Sequence, residues 1–198
     1  MKNKTKAFIA LSATAALVTV GIASNKTTFT QTMGASGYAR QMVFNSLYRN
    51  VVTSNGNTFS AFWVEEYGDS SFSGGLATLC GTGSFVSSTQ TFNSYSSILG
   101  IKGDYDISNI SSIEITYSIK TIWTKLIFGT LTEDNDFVSK EEVGVVNGSA
   151  YDATRTYTIE GLNSVHGLGF TLKHHATGGS NKDPMTAIIE KVIINYTC

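Results

Sequence analysis

Ile113, Ile115, Tyr117 and Ile119 alternate with Glu114, Thr116 and Ser118. A strict period of two, carried by β-branched and aromatic residues, predicts a strand with one buried and one solvated face. That one-sided pattern belongs to antiparallel sheets, because strands buried on both faces read as continuous apolar runs. The rhythm recurs along the chain. Phe59, Ala61 and Trp63 share one face of Thr58–Tyr67, Tyr157 and Ile159 alternate with threonines, and Leu168, Phe170 and Leu172 alternate with small residues. Val192, Ile194, Tyr196 and Cys198 close the chain on one face. Leu126 to Leu131 is apolar on both faces, which predicts a central strand neighbouring 113–119. Turn signals such as Gly103, Glu133–Asp136 and Asn147-Gly148 separate about eight strands after residue 76. The expected fold is all-β, an antiparallel two-sheet β-sandwich of jelly-roll type spanning 76–198.

Residues 24–75 form an N-terminal segment expected to pack on that sandwich. Over Tyr38–Val52 the polar pairs Arg40-Gln41, Asn45-Ser46 and Arg49-Asn50 recur every four to five positions. That spacing predicts a short amphipathic helix over 38–52, with two short strands at Val43-Phe44 and Val51-Val52 as the competing reading. A strand is expected over 58–67, and the Ser/Gly-rich stretch Asp69–Gly75 is the internal boundary.

The first 23 residues change the bookkeeping. Lys2, Lys4 and Lys6 precede an apolar run, Ala7–Val20, and the small residues Gly21 and Ala23 flank Ile22. This is the pattern of a secretory signal peptide cleaved after Ala23, and it predicts a secreted, extracellular protein. No second long apolar segment follows, so no stable membrane insertion is expected after cleavage. Losing three lysines from fourteen basic residues leaves eleven against fifteen acidic, a formal charge of −4. Without a Lys/Arg cluster, nucleic acid is a poor partner. Cys80 and Cys198 are the two cysteines, and an oxidising compartment predicts a disulfide between them.

Candidate chemistry is sparse. Trp63, with Glu65 and Tyr67, offers a stacking platform beside a carboxylate; the alternative is that Trp63 packs in the core with Phe59 and Ala61. Trp123 stands among Lys120, Thr121, Thr124 and Lys125, where an exposed ring suits a ligand. Glu133, Asp134, Asn135 and Asp136 gather hard oxygens in one turn, which suits Ca²⁺ as a structural ion, although the spacing is not that of an EF-hand. His174-His175 and Asp183 bracket a polar loop. Glu65 and Glu66 are adjacent on a strand and point to opposite faces, so they cannot flank a glycosidic bond; a pair such as Glu65 with Glu114 is the kind a glycosidase would need.

Three stretches carry a resemblance: Gly103-Asp-Tyr-Asp-Ile107, Ile110-Ser-Ser-Ile-Glu-Ile-Thr-Tyr117 and Ile188-Ile-Glu-Lys-Val-Ile-Ile-Asn-Tyr196. With them, residues 76–198 resemble the jelly-roll carbohydrate-binding modules and galactose-binding-like domains of secreted bacterial proteins. The resemblance implies a β-sandwich that binds glycans in loops or on one sheet face, often with structural calcium. It transfers no site residue. The expected function is therefore non-catalytic binding of carbohydrate or a cell-surface glycan. The alternatives are a structural or adhesive surface protein that binds other protein chains, and a small secreted glycoside hydrolase.

Overall fold

Two sheets face each other across the apolar residues that the alternation selects. The computed structural model describes residues 28–30, 39–53, 55–86, 91–146, 152–175 and 183–197. The expected signal peptide and the Asn147-Gly148 turn lie outside these. Among the described residues the chain forms β1 (Thr28–Thr30), β2 (Ala39–Asn45), β3 (Asn50–Val52), β4 (Thr58–Glu65), β5 (Ala77–Val86), β6 (Thr91–Ser96) and β7 (Ile98–Ser108). It continues with β8 (Ile110–Ile119), β9 (Thr124–Leu131), β10 (Phe137–Val146), β11 (Arg155–Glu160), β12 (Ser164–His174) and β13 (Asp183–Thr197).

The antiparallel pairs β9–β10, β8–β11, β7–β12 and β5–β13 nest inside one another. The chain from Ala77 onward is thus one long hairpin, with its tip at the β9–β10 turn, rolled up so that its pairs fall alternately into two sheets. One sheet contains β7-β12-β9-β10 and the other β11-β8-β13-β5. This connectivity is a jelly-roll β-sandwich. The N-terminal segment extends both sheets: β4, β3 and β1 continue the first sheet beyond β7, and β2 lies along β13 beyond the end of β5.

Ile113, Ile115, Tyr117 and Ile119 all face the core, as their spacing requires. They meet Leu126 and Phe128 of β9 and Leu168, Phe170 and Leu172 of β12 within one core cluster. The rings of Phe128 and Phe170 lie 5.8 Å apart. Ser118 departs from the expected wet face: it is buried, opposite Ile188 of β13.

Two expectations are corrected here. Within the expected helix 38–52, the described residues 39–52 form strands β2 and β3 and not a helix. Met42 and Phe44 bury while Gln41 is exposed, a period of two, because β2 fills the free edge that β13 offers over Lys191–Thr197. Asn45 then turns the chain, its Oδ1 accepting from the backbone N–H groups of Leu47 and Tyr48 at 2.9 and 3.0 Å. The 126–131 strand, β9, is not a sheet neighbour of β8. Lys120–Trp123 carries the chain across the sandwich, so β9 pairs with β12 and β10 in the opposite sheet, and β8 lies between β11 and β13. The outer apolar face of β9, Ile127 and Leu131, is buried on the side away from the core cluster. There the Phe137 ring crosses Gly129 and Gly169, and a Cβ at either glycine would come within 2.5 Å of it.

Candidate functional site

The crossover between the sheets carries one of the exposed aromatic side chains. Ile122 and Trp123 are 44% and 37% exposed, and Trp123 has a φ of +58°. A bulky L-residue in the left-handed region costs on the order of 1–3 kcal/mol and persists only where its surroundings hold it. Here the supports are explicit. The Trp123 carbonyl accepts from the His175 N–H at 2.7 Å, and the Lys120 N–H donates to the Thr186 carbonyl at 2.8 Å. Thr121 Oγ1 accepts from the Thr186 N–H at 2.7 Å and lies 2.9 Å from Thr124 Oγ1. The turn is tied to the end of β12 and the start of β13, and Lys120 pairs with Asp152.

A cleft of about 420 Å³ opens beside it, lined by Lys120, Thr121, Ile122, Trp123, Asp183 and Pro184. Asp183 is held by the buried His174, whose Nε2 lies 3.0 Å from Oδ2. His174 is fixed in turn by its backbone N–H, which donates to Ser94 Oγ at 3.1 Å. The cleft thus combines an aromatic face, an aliphatic side chain, one ammonium and one carboxylate whose geometry is set from behind. That set can stack on the C–H face of a ring and hydrogen-bond its hydroxyls. The sequence pointed to Trp123 and to the His174/Asp183 loop separately. It did not show that β12 and β13 bring them to one place.

Trp63 takes the core alternative. It is half-buried against the core cluster, and its ring lies 5.0 Å from that of Phe72. Arg49 covers the Phe72 ring at 4.9 Å. Tyr67 lies beyond the end of β4; its N–H donates to Ser97 Oγ at 2.9 Å and its hydroxyl lies 3.0 Å from Thr82 Oγ1. No Trp63–Tyr67 platform forms, because the pairing register slips between Trp63 and Glu65 and the following segment is pinned to the β6–β7 junction. Glu65 is exposed and lines a separate groove of about 330 Å³ with Tyr95, Ser139, Thr171 and Lys173. Tyr95 gave no sequence signal, because Ser87–Ser97 reads only as a polar stretch.

Glu65 and Glu114 belong to different sheets, and Glu114 accepts from Asn195 Nδ2 at 3.0 Å. The core lies between them, so they do not form a catalytic pair. The acidic turn does not gather as a calcium site. Lys102 reaches into it, its ammonium donating to the Glu133 carbonyl at 2.6 Å and to Asn135 Oδ1 at 2.9 Å. Glu133, Asp134 and Asp136 are exposed, and no metal-binding group of three His, Cys, Asp or Glu side chains occurs among the described residues.

The expected bridge between Cys80 and Cys198 does not fit the register. Cys80 carries a free thiol and pairs with Thr186. β13 continues from there to Thr197, opposite Ala39. Eleven residues of strand span roughly 35 Å, whereas a disulfide needs its Cα atoms within about 7 Å. Cys198 follows Thr197 directly and itself lies outside the described residues.

No protein-family description matches the chain, and no curated protein does. Solved structures of infectious bursal disease virus are similar at a low level. The Gt strain matches with a TM-score of 0.36 at 9% identity, and the Gx strain with 0.37 at 10%. Derived T=1 particles of the same virus match with 0.37 at 9%. In each case the match covers 91% of this chain and 36% of the viral one, so the chain spans about a third of those proteins.

Proposed function

We propose that this chain is a secreted, non-catalytic module that binds carbohydrate or a cell-surface glycan through the cleft at Trp123. The observation that carries this reading is the half-exposed Trp123 side chain on a left-handed backbone, pinned by hydrogen bonds from two strands. A fold that needed only a turn here would place Gly or Asn at that φ. An aromatic ring at a strained, well-supported position suits a surface selected for contact. Asp183, oriented by His174, supplies the acceptor for ligand hydroxyls, and the Lys120 ammonium lines the same cleft. Export follows from the N-terminal pattern, and the mildly acidic balance leaves nucleic acid out of the proposal.

Screening the full chain against a glycan array and insoluble polysaccharides tests this reading. Trp123→Gly is the informative variant, because glycine occupies a φ of +58° without strain while removing the ring. The expected result is a thermal midpoint equal to or above that of the parent, with glycan retention lost. Unchanged retention in this variant, or no retention by the parent on any surface, would sink the proposal.

A further inference from the structure

The end of the sandwich opposite Trp123 carries a second cleft, of about 530 Å³. β7 runs from Ile98, opposite Thr171, to Ser108, opposite Ser164, so Tyr105–Asn109 lie roughly 30 Å of strand away from the Trp123 end. Tyr105 is 63% exposed at the rim. Asn55 and Asn57 come to the same rim from the β3–β4 turn, and Asn109 from the β7–β8 turn, where its φ of +55° is one that asparagine tolerates. Asn55 Oδ1 accepts from Thr53 Oγ1 at 2.5 Å, which fixes that amide and leaves its N–H groups to donate. The rim carboxylate, Asp106, is engaged, its Oδ1 lying 2.6 Å from His166 Nδ1. Below this polar rim the floor is apolar, where Met42, Phe59 and Ile107 of the core reach the cleft.

An aromatic wall, a ring of neutral amides and an apolar floor suit a particular ligand chemistry. The ligand should be uncharged and rich in hydroxyls, and should carry a small apolar substituent. We infer that this cleft is a second, independent binding site for N-acetylated hexosamines. The sugar ring stacks on Tyr105, the acetamide exchanges hydrogen bonds with Asn55, Asn57 and Asn109, and the acetyl methyl enters over Phe59 and Met42. A floor that excludes water from one methyl group contributes about a factor of four in affinity, and the stacked side chain and the amide hydrogen bonds add to it.

Isothermal titration of the full chain with the chitin trimer and with cellotriose, which lacks the acetamido groups, tests the inference. The chitin trimer is expected to bind saturably and at least about tenfold more tightly than cellotriose. Binding should weaken by at least about tenfold in Tyr105→Ala and survive in Tyr105→Phe. Tyr105 is exposed, so its loss leaves the core intact. Equal affinity for the two trimers, no binding of the chitin trimer, or a Tyr105→Ala variant that binds like the parent would each overturn the assignment. Loss of binding in Trp123→Gly with Tyr105→Ala intact would overturn it too, while leaving the reading of the Trp123 cleft standing.

Discussion

Tyr117 ties the two sheets together through a single hydroxyl. Its ring is buried in the core, and its Oη donates to the Val143 carbonyl of β10 at 2.6 Å. That carbonyl faces inward because the register of β10 slips between Glu142 and Gly144. Gly144 completes the arrangement, since a Cβ there would lie 2.5 Å from Tyr117 Oη. Tyr117→Phe keeps the ring and strands the carbonyl, so urea unfolding should show a loss of about 1–3 kcal/mol. The pH dependence follows as well. Burial raises the Tyr117 pKa above its usual value of 10.0, and the Arg155 charge opposes this to a smaller extent. A phenol whose folded pKa is raised contributes stability that is fully present below pH 10 and is lost as pH rises through the folded value. Stability should therefore hold level up to about pH 10 and fall above it. Tyr117→Phe should flatten that decline, leaving the portion due to Tyr157, whose pKa the neighbouring Glu141 raises. An equally steep decline in the variant would refute this origin. That Tyr117 is buried was readable from its place between Ile115 and Ile119. Its partner was not, because nothing local in Glu141–Gly144 marks a carbonyl turned inward.

Strand periodicity survives in the structure wherever the ladder is regular and misleads wherever it slips. In β13, Ala187 and Ile189 face the core, then Val192, Ile194 and Tyr196 do, and the change of parity coincides with a register shift between Ile189 and Lys191. The apolar run Ile188-Ile189 followed by Glu190-Lys191 carries that shift in the sequence as two alternations out of phase. In β2 the same kind of pairing decides against local preference: Tyr38–Val52 has helical spacing, but a strand there completes the edge of β13, and tertiary pairing overrides propensity. Outer burial of Ile127 and Leu131 was legible as apolarity on both faces of β9. Its cause, Phe137 folding back over Gly129 and Gly169, needs three strands in register. The β9–β10 turn shows the same limit, since its oxygens suit a cation and the cation present is Lys102, from a strand two places away in the sheet. Added Ca²⁺ or a chelator should therefore leave the thermal midpoint unchanged, because a ligand stabilises only by binding the folded state. Lys102→Met should lower the midpoint with or without Ca²⁺. A midpoint that rises with Ca²⁺ concentration in the parent chain would show that the turn takes the ion after all.

At the scale of the whole molecule, nested pairing places residues far apart in the chain side by side and holds the two ends of the sandwich apart. Cys80 lies on β5 near the Trp123 end, and β13 carries the chain away from it, toward the end that bears Tyr105 and Asn109. The two cysteines that an exported chain invites one to join are thus separated by the length of the strand that links their neighbourhoods. A bridge closing more than a hundred residues would be worth about 4–5 kcal/mol on the chain-entropy model, a stabilisation large enough to see. In the register observed, that stabilisation is absent, and β13 is held by its core side chains and its ladders with β2, β5 and β8. The consequence is measurable: thermal and urea unfolding of the monomer should be the same with and without a strong reductant. Alkylation of the unfolded chain without reductant, followed by peptide mass spectrometry, should then label Cys80 in full. A midpoint that falls on reduction, together with a Cys80–Cys198 cross-linked peptide, would mean that β13 leaves β8 before Thr197, and the register of the last strand would have to be redrawn.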